Sequence, residues 1–258
     1  MSPSLYSPVF YEATVGEEDH ALQLSPEESR HALQVLRVRL NDPCVVVNGQ
    51  GLGRQAFVAG IEGKQVKISL GDAIREFGEP KFQVTLGLGI STNDRFDAAI
   101  AAGIEAGVCR FVPLVCDKCK FSPDEEKAAK RKERWERIAI AAMKQSRRSR
   151  LAHFDEPITL DDWISKSSAP IIAFSPEGTS RLESISATTQ HSPNLRILVG
   201  PVAGFSEREI ALLQKASGQG VEIVSLGERI LRFETAVPVA VSLVLAAIGE
   251  YSQREKCR

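Results

Sequence analysis

No apolar run in this chain of 258 residues reaches the roughly 20 that a bilayer-spanning helix needs. The longest, Ala236 to Ile248, is also interrupted by Pro238 and reads as a buried helix. The amino-terminal stretch lacks a positively charged segment followed by an apolar stretch and a cleavage site, so a soluble cytoplasmic protein is expected. Cysteine is scarce and odd in number: five residues at irregular spacing argue against a disulfide framework and for reduced thiols. Cys116-Asp-Lys-Cys119 is a lone C-x-x-C without a second pair or a nearby histidine, so no metal is expected there. The histidines, His20, His31, His153 and His191, are scattered and propose no Ser-His-Asp constellation. A net charge of −1 excludes a global pull toward polyanions, so any nucleic-acid surface must be local. The phosphate-binding patterns G-x-G-x-x-G and G-x-x-x-x-G-K-[ST] are absent as well, which weakens the dinucleotide and NTP readings.

What is present is a chain with 43% apolar residues, long enough for one or two domains. Residues 1–77 read as a small β-rich module. Cys44 to Asn48 and Arg54 to Glu62 are strands joined by the glycine-rich Gly49 to Gly53, and a Gly63-Lys64 turn leads to the alternating Gln65 to Leu70. Ahead of them Ser25, Pro26 and Glu28 mark a helix start that runs to about Arg37. The polar segment Asp72 to Pro80 separates this module from residues 78–258, where strands and helices alternate. Phe82 to Ile90 is a strand. A helix from about Asp94 follows, with Phe96, Ile100, Gly103 and Ile104 on one face, then the strand Phe111 to Val115. A capping box at Ser122 to Glu125 opens a long helix with Trp135, Ile138, Ala139, Ala142 and Met143 on one stripe. Strands at Ile171 to Phe174, Arg196 to Val199 and Val221 to Leu226 complete the pattern. Alternation of this kind predicts an α/β fold around a parallel sheet.

The two last strands each end in a glycine turn, at Gly200-Pro201 and at Leu226-Gly227. A glycine at the end of a buried strand lets a ligand lie against bare backbone, and two such turns suggest one pocket. The second local feature is the basic run Lys144-Gln-Ser-Arg-Arg-Ser-Arg150. Arginine forks suit phosphate oxygens and would give salt-dependent RNA affinity; cations at a helix carboxy-terminus also simply offset its dipole.

From Leu198 to about Tyr251 the chain resembles the SPOUT class of methyltransferases, and within it the RsmE family. That family usually shows Gly-Pro-Glu-Gly-Gly-Phe-Ser and Leu-Gly-x-Arg-Ile-Leu-Arg-Thr-Glu-Thr-Ala. Here the matching stretches are Gly200-Pro-Val-Ala-Gly-Phe-Ser206 and Leu226-Gly-Glu-Arg-Ile-Leu-Arg-Phe-Glu-Thr-Ala236, with Val202, Ala203 and Phe233 as departures. His31-Ala-Leu-Gln-Val-Leu-Arg37 resembles the PUA-like domain of the same proteins. Gln145, Ser146 and Arg148 match a Gln-Ser/Cys-Gly-Arg stretch in which Arg147 stands where glycine is usual.

The resemblance implies a SPOUT-type parallel sheet with a carboxy-terminal trefoil knot behind an amino-terminal PUA-like β-barrel. It also implies a cytoplasmic homodimer that methylates N3 of a uridine in small-subunit ribosomal RNA with S-adenosylmethionine. The cofactor would lie on Phe174, Leu198, Val199, Gly200, Pro201 and Gly204, and on Leu226, Gly227, Ile230 and Leu231. RNA would be held by His31 and Arg37 and by Lys144, Gln145, Arg147, Arg148 and Arg150. Uracil N3 must lose its imide proton before it attacks, which spreads negative charge onto O2 and O4. Arg232 would stabilise that charge and Glu234 would orient Arg232 or accept the proton. Two rival readings share these residues: a SPOUT paralogue that binds RNA without turnover or acts on another RNA, and an enzyme acting on a small nucleotide.

Overall fold

The computed structural model describes residues 7–119, 125–167, 169–180, 185 and 194–251, in two compact units. The first comprises residues up to Glu79 together with Ile140–Leu151, and the second Pro80–Ala139 and the chain from Ala152 onward. The boundary expected after residue 77 therefore falls after Glu79, and a segment expected in the second unit belongs to the first. Packing explains that exchange, because Met143 is fully buried against Val9, Val45 and Val47.

The first unit is built on β1 (Val9–Tyr11), β2 (Ala21–Gln23), β3 (Pro43–Val47), β4 (Leu52–Glu62) and β5 (Gln65–Arg75). They form one sheet in the order β1-β3-β4-β5-β2, with β1 parallel to β3 and the other pairs antiparallel. Bulges in β4 between Arg54 and Ala56 and between Val58 and Gly60 bend the sheet. The segment Asp72 to Arg75, expected as a polar separator, instead continues β5, because Ala73, Ile74 and Arg75 pair with Arg54, Gly53 and Leu52. The helix α1 (Pro26–His31) starts as anticipated, with Ser25 Oγ accepting from the Glu28 amide. It continues as a π-turn, Ala32–Leu36, that closes on Arg37 in a left-handed conformation.

In the second unit all strand pairs are parallel. The strands β6 (Gln83–Gly89), β7 (Val108–Val115), β8 (His153–Phe154), β9 (Ile158–Thr159), β10 (Ile171–Phe174), β11 (Asn194–Val199) and β12 (Val221–Val224) follow the order β12-β10-β11-β6-β7-β8, with β9 also on β7. The helices are α2 (Asn93–Ala106), α3 (Glu125–Gln145, which from Ile140 belongs to the first unit), α4 (Leu160–Ser165), α5 (Glu207–Ala216) and α6 (Phe233–Ala247). The capping box expected at Ser122 to Glu125 lies outside the described residues. Helix α5 was not anticipated, although its signal is plain: Ser206 and Glu209 form a complete capping box. Leu114, Leu160, Trp163, Ile171, Ala173 and Leu198 form the buried centre of one face of the sheet.

Candidate active site

Register brings the functional loops together. Phe174 pairs with both Val199 and Val224, so β10, β11 and β12 end level and release their three following loops at one edge of the sheet. A cavity of about 120 Å³ opens there. Phe174, Val199, Leu226, Gly227, Ile230 and Leu231, all expected to touch cofactor, line it. Ser175, Pro176, Arg229 and Ala236 complete the wall; of these only Ser175 and Pro176 had a signal, their place after a buried strand.

Four other expected residues do not line this cavity. Leu198 points to the opposite face of β11, fully buried in the core, as alternation along a strand requires. Gly200 faces the Phe205 ring, where an added Cβ would come within 2.9 Å. Pro201 lines a second, neighbouring cavity. Gly204 is absent from the lining of either cavity.

Gly227 fits a cofactor in a way that can be tested on the backbone. Its φ is +92°, and a Cβ built there would meet no atom within 4 Å. The position is a gap that a side chain would fill, rather than a glycine demanded by crowding. The Gly227 amide donates to Ser225 Oγ at 3.2 Å, which fixes the turn.

Helix α6 begins directly after this loop. Arg232 is its N-cap residue and is exposed; among the described residues no ion pair or side-chain hydrogen bond engages it. Arg232 thus forms no ion pair with Glu234 or Glu207. Glu234 sits in the first helical turn with Oε2 buried and, among the described residues, without a hydrogen-bond partner. Such an oxygen is costly unless a donor arrives with a ligand.

The basic run behaves differently from its sequence reading. Arg148 and Glu79 side chains are each only 3% exposed, and Arg148 Nε and Nη2 donate to Glu79 Oε2 at 3.1 and 2.7 Å. The other oxygen of Glu79 accepts from the Ser149 and Arg150 amides, both at 2.8 Å. Lys144 pairs with Glu28 at 2.5 Å, and Arg150 Nε donates to Glu76 Oε2 at 2.7 Å, which holds the Glu76 carboxyl below its usual range. Arg147 donates to the Ser7 carbonyl at 2.6 Å and lies over the Phe77 ring; burial pushes its guanidinium downward. Its φ of +61° also accounts for the glycine usual at that position. Lys144, Arg147, Arg148 and Arg150, expected on an RNA surface, all take part in the internal bonding of the first unit, and Arg148 is wholly buried there. Sequence spacing could not reveal this, because the partners lie 69 to 140 residues away. Of the remaining RNA candidates Gln145 and Arg37 are exposed and His31 is half-buried, near the exposed apolar Val35, Leu36 and Leu40.

Cys116 and Cys119 share a turn in which the Cys119 amide donates to the Cys116 carbonyl at 2.9 Å. Their thiols hydrogen-bond to one another, which lowers Cys119 and raises Cys116. Cys119 Sγ also donates to the Ile90 carbonyl at 2.9 Å, so the pair ties the end of β7 to the end of β6.

With this geometry in hand, likeness to known proteins is informative. Residues 78–245 match the RNA methyltransferase domain family and residues 24–71 the RNA methyltransferase PUA domain. A ribosomal RNA small subunit methyltransferase E from Buchnera aphidicola is 28% identical over 230 residues, covering 88% of each chain. That of Bacillus subtilis is 26% identical, covering 88% of this chain and 91% of its own. A crystal structure of the Neisseria gonorrhoeae ribosomal RNA small subunit methyltransferase E bound to S-adenosyl methionine superposes with a TM-score of 0.80 at 28% identity. It covers 93% of this chain and 98% of its own.

Proposed function

Since the chain belongs to the RNA methyltransferase family, we propose that it methylates N3 of a specific uridine in small-subunit ribosomal RNA, using S-adenosylmethionine. The observation that carries the reading is the meeting, at one end of the sheet, of the Gly227 cavity with Arg232 and Glu234 Oε2, neither of which has a side-chain partner among the described residues. When bound, the cofactor supplies an electrophilic methyl group. Phe174, Val199, Leu226, Ile230 and Leu231 hold its apolar parts and exclude water. Gly227 leaves the room that its adenine needs against the backbone.

The chain's own residues act on the uracil. Arg232 reaches outward from the helix start, where its fork can hydrogen-bond to O2 or O4 as the imide loses its proton. Glu234, one turn from the cavity, orients that guanidinium or takes the imide proton on Oε2. His31, Arg37 and Gln145 grip the RNA from the first unit, and Val35, Leu36 and Leu40 offer apolar contact to unstacked bases. The enzyme works in the cytoplasm as a homodimer: Ile230, 93% exposed at the rim of the cavity, is the side chain that a second copy would cover.

The test is Arg232→Lys. Calorimetric affinity for S-adenosylmethionine should be unchanged, while single-turnover methyl transfer to small subunits from a strain lacking the modification should fall by about 100-fold or more. Transfer at the wild-type rate removes Arg232 from the chemistry. Mass mapping of the product RNA that finds no methyl on a uridine N3 refutes the assigned reaction.

A further inference from the structure

The two inner residues of the Cys116-Asp-Lys-Cys119 turn are bonded to one loop and the start of the helix behind it. Asp117 accepts from Ser206 Oγ at 2.6 Å and from Arg208 Nε and Nη2 at 2.9 and 2.8 Å. Lys118 Nζ donates to the Phe205 carbonyl at 2.7 Å and to the Ala203 carbonyl at 3.5 Å. The turn therefore braces the Pro201 to Ser206 loop. That loop leaves β11 just after Val199, which lines the 120 Å³ cavity, and its Phe205 ring packs on Gly200. A displacement of the turn is thus passed through the loop to the wall of the cavity.

The two thiols at the ends of the turn are differently placed, as an oxidisable pair requires. Cys119 is half-buried and lines the neighbouring cavity of about 590 Å³, so a small oxidant from solvent can reach its sulfur. The hydrogen bond with Cys116 holds the Cys119 thiol below its ordinary range, which favours the thiolate that attacks a peroxide. Cys116 lies behind it in the core of the sheet face, and the same hydrogen bond, burial and the Glu209 carboxylate push its thiol up, so that it keeps its proton. Glu209, itself fully buried, hydrogen-bonds that thiol and stays anchored by the Asp117 and Ser206 amides at 2.9 and 2.8 Å, in place to take the proton. Cys44, by contrast, is buried in the first unit and pushed up to about 12 by desolvation, which leaves it inert.

We propose that Cys116 and Cys119 are a reversible oxidation site for hydrogen peroxide, and that their disulfide shifts the Pro201 to Ser206 loop and weakens cofactor binding at the adjoining cavity; the second half rests on the methyltransferase reading above. The Cys119 thiolate attacks one peroxide oxygen: an S–O bond forms, the O–O bond breaks, and the departing hydroxide takes a proton from solvent to become water. The Cys116 sulfur then attacks the resulting sulfenic acid while Glu209 takes its proton. The S–S bond forms, the S–O bond breaks, and the leaving hydroxide collects that proton as a second water, so two thiols and one peroxide give one disulfide and two waters. A disulfide has no S–H to donate. The bonds of Cys119 to the Ile90 carbonyl and of Cys116 to Glu209 are therefore both lost, and the turn is freed from the end of β6 and from the start of α5.

The full chain is compared reduced, after hydrogen peroxide, and after peroxide followed by dithiothreitol. Peptide mass mapping should find a Cys116–Cys119 disulfide only in the second state. Amide NMR shifts of Ala203, Phe205 and Ser206 should move on oxidation and return on reduction, and calorimetric affinity for S-adenosylmethionine should fall by about fivefold or more, the lower end of ordinary coupling between sites. Cys119→Ser, whose hydroxyl keeps a donor for the Ile90 carbonyl, should form no disulfide and hold its affinity under peroxide. Cys116→Ala should strand Cys119 as a sulfenic or sulfinic acid; should that core variant fail to fold, Cys119→Ser carries the test alone. No disulfide, a disulfide to another cysteine, or a Cys116–Cys119 disulfide that leaves the loop amides unmoved overturns the proposal. So does unchanged affinity in an oxidised protein that binds cofactor when reduced, or a loss of affinity that Cys119→Ser shares. Reduced wild type that binds no S-adenosylmethionine refutes the cofactor reading alone, and the loop amides still decide the switch.

Discussion

Arg148→Met should cost the first unit a large share of its stability and leave its RNA affinity per folded molecule almost untouched. Both members of the Arg148–Glu79 pair are 3% exposed, so the substitution strands a carboxylate away from water with, among the described residues, the Ser149 and Arg150 amides to satisfy it. Breaking a buried pair from one side costs about 3–5 kcal/mol, a large share of the roughly 5–15 kcal/mol by which a domain is stable. Glu79→Leu on its own loses the same pair and also strands the buried Ser149 amide, worth about 1–3 kcal/mol, and the half-buried Arg150 amide. The double variant Arg148→Met/Glu79→Leu removes both charges and should recover part of the loss, giving a coupling energy of about 2 kcal/mol or more in a double-mutant cycle. The assay is urea unfolding followed by circular dichroism, with RNA binding measured on the folded fraction at several salt concentrations. Each phosphate contact contributes about 0.7 to the slope of log K against log salt for single strands. An Arg148→Met variant within about 1 kcal/mol of wild type whose slope falls by that amount would show that Arg148 leaves Glu79 to meet RNA, and would refute the argument.

Two further outcomes follow from the second unit. Gly227→Val should fold, since the left-handed φ of +92° costs about 1–2 kcal/mol. It should lose at least about 100-fold in S-adenosylmethionine affinity, because the side chain fills the gap; Gly200→Val should instead lower the melting temperature by driving a carbon into the Phe205 ring. Calorimetry and thermal melts separate the two, and unchanged affinity in folded Gly227→Val would move the cofactor elsewhere. Asp117 is held near 2 by the Arg208 guanidinium and the Ser206 hydroxyl, below its ordinary 3.8. A depressed carboxylate stabilises the fold above its unfolded value and loses that contribution as pH falls through the folded one. The melting-temperature gap between wild type and Arg208→Ala should therefore be constant from about pH 5 upward and shrink between about 4 and 2; a gap that persists at pH 2 contradicts the pairing.

Elements whose signal is local were legible in the sequence. Ser25 caps α1 because its own hydroxyl reaches an amide three residues on, and β10 and β11 are apolar runs that a sheet covered on both faces requires. The loop that lines the 120 Å³ cavity was legible for the same reason: Leu226-Gly227 combines a buried strand end with a residue able to adopt positive φ. The reading failed where a partner far along the chain decides the outcome. Asp72 to Arg75 look like a polar linker until β4 pairs with them, and Leu198 reads as a pocket wall until the register turns it to the core.

Composition and pattern by themselves determined a parallel α/β unit that follows a β-rich one along the chain, because periodicity is a property of neighbouring residues. Only the tertiary structure decided which charges are available for function. Lys144, Arg147, Arg148 and Arg150 look like a phosphate-binding run in one dimension. Folding places Glu28, Glu76, Glu79, the Ser7 carbonyl and the Phe77 ring against them, while Arg232 keeps no such partner among the described residues. A charge's role depends on what lies within a few ångströms, and that distance is set by the fold rather than by position along the chain.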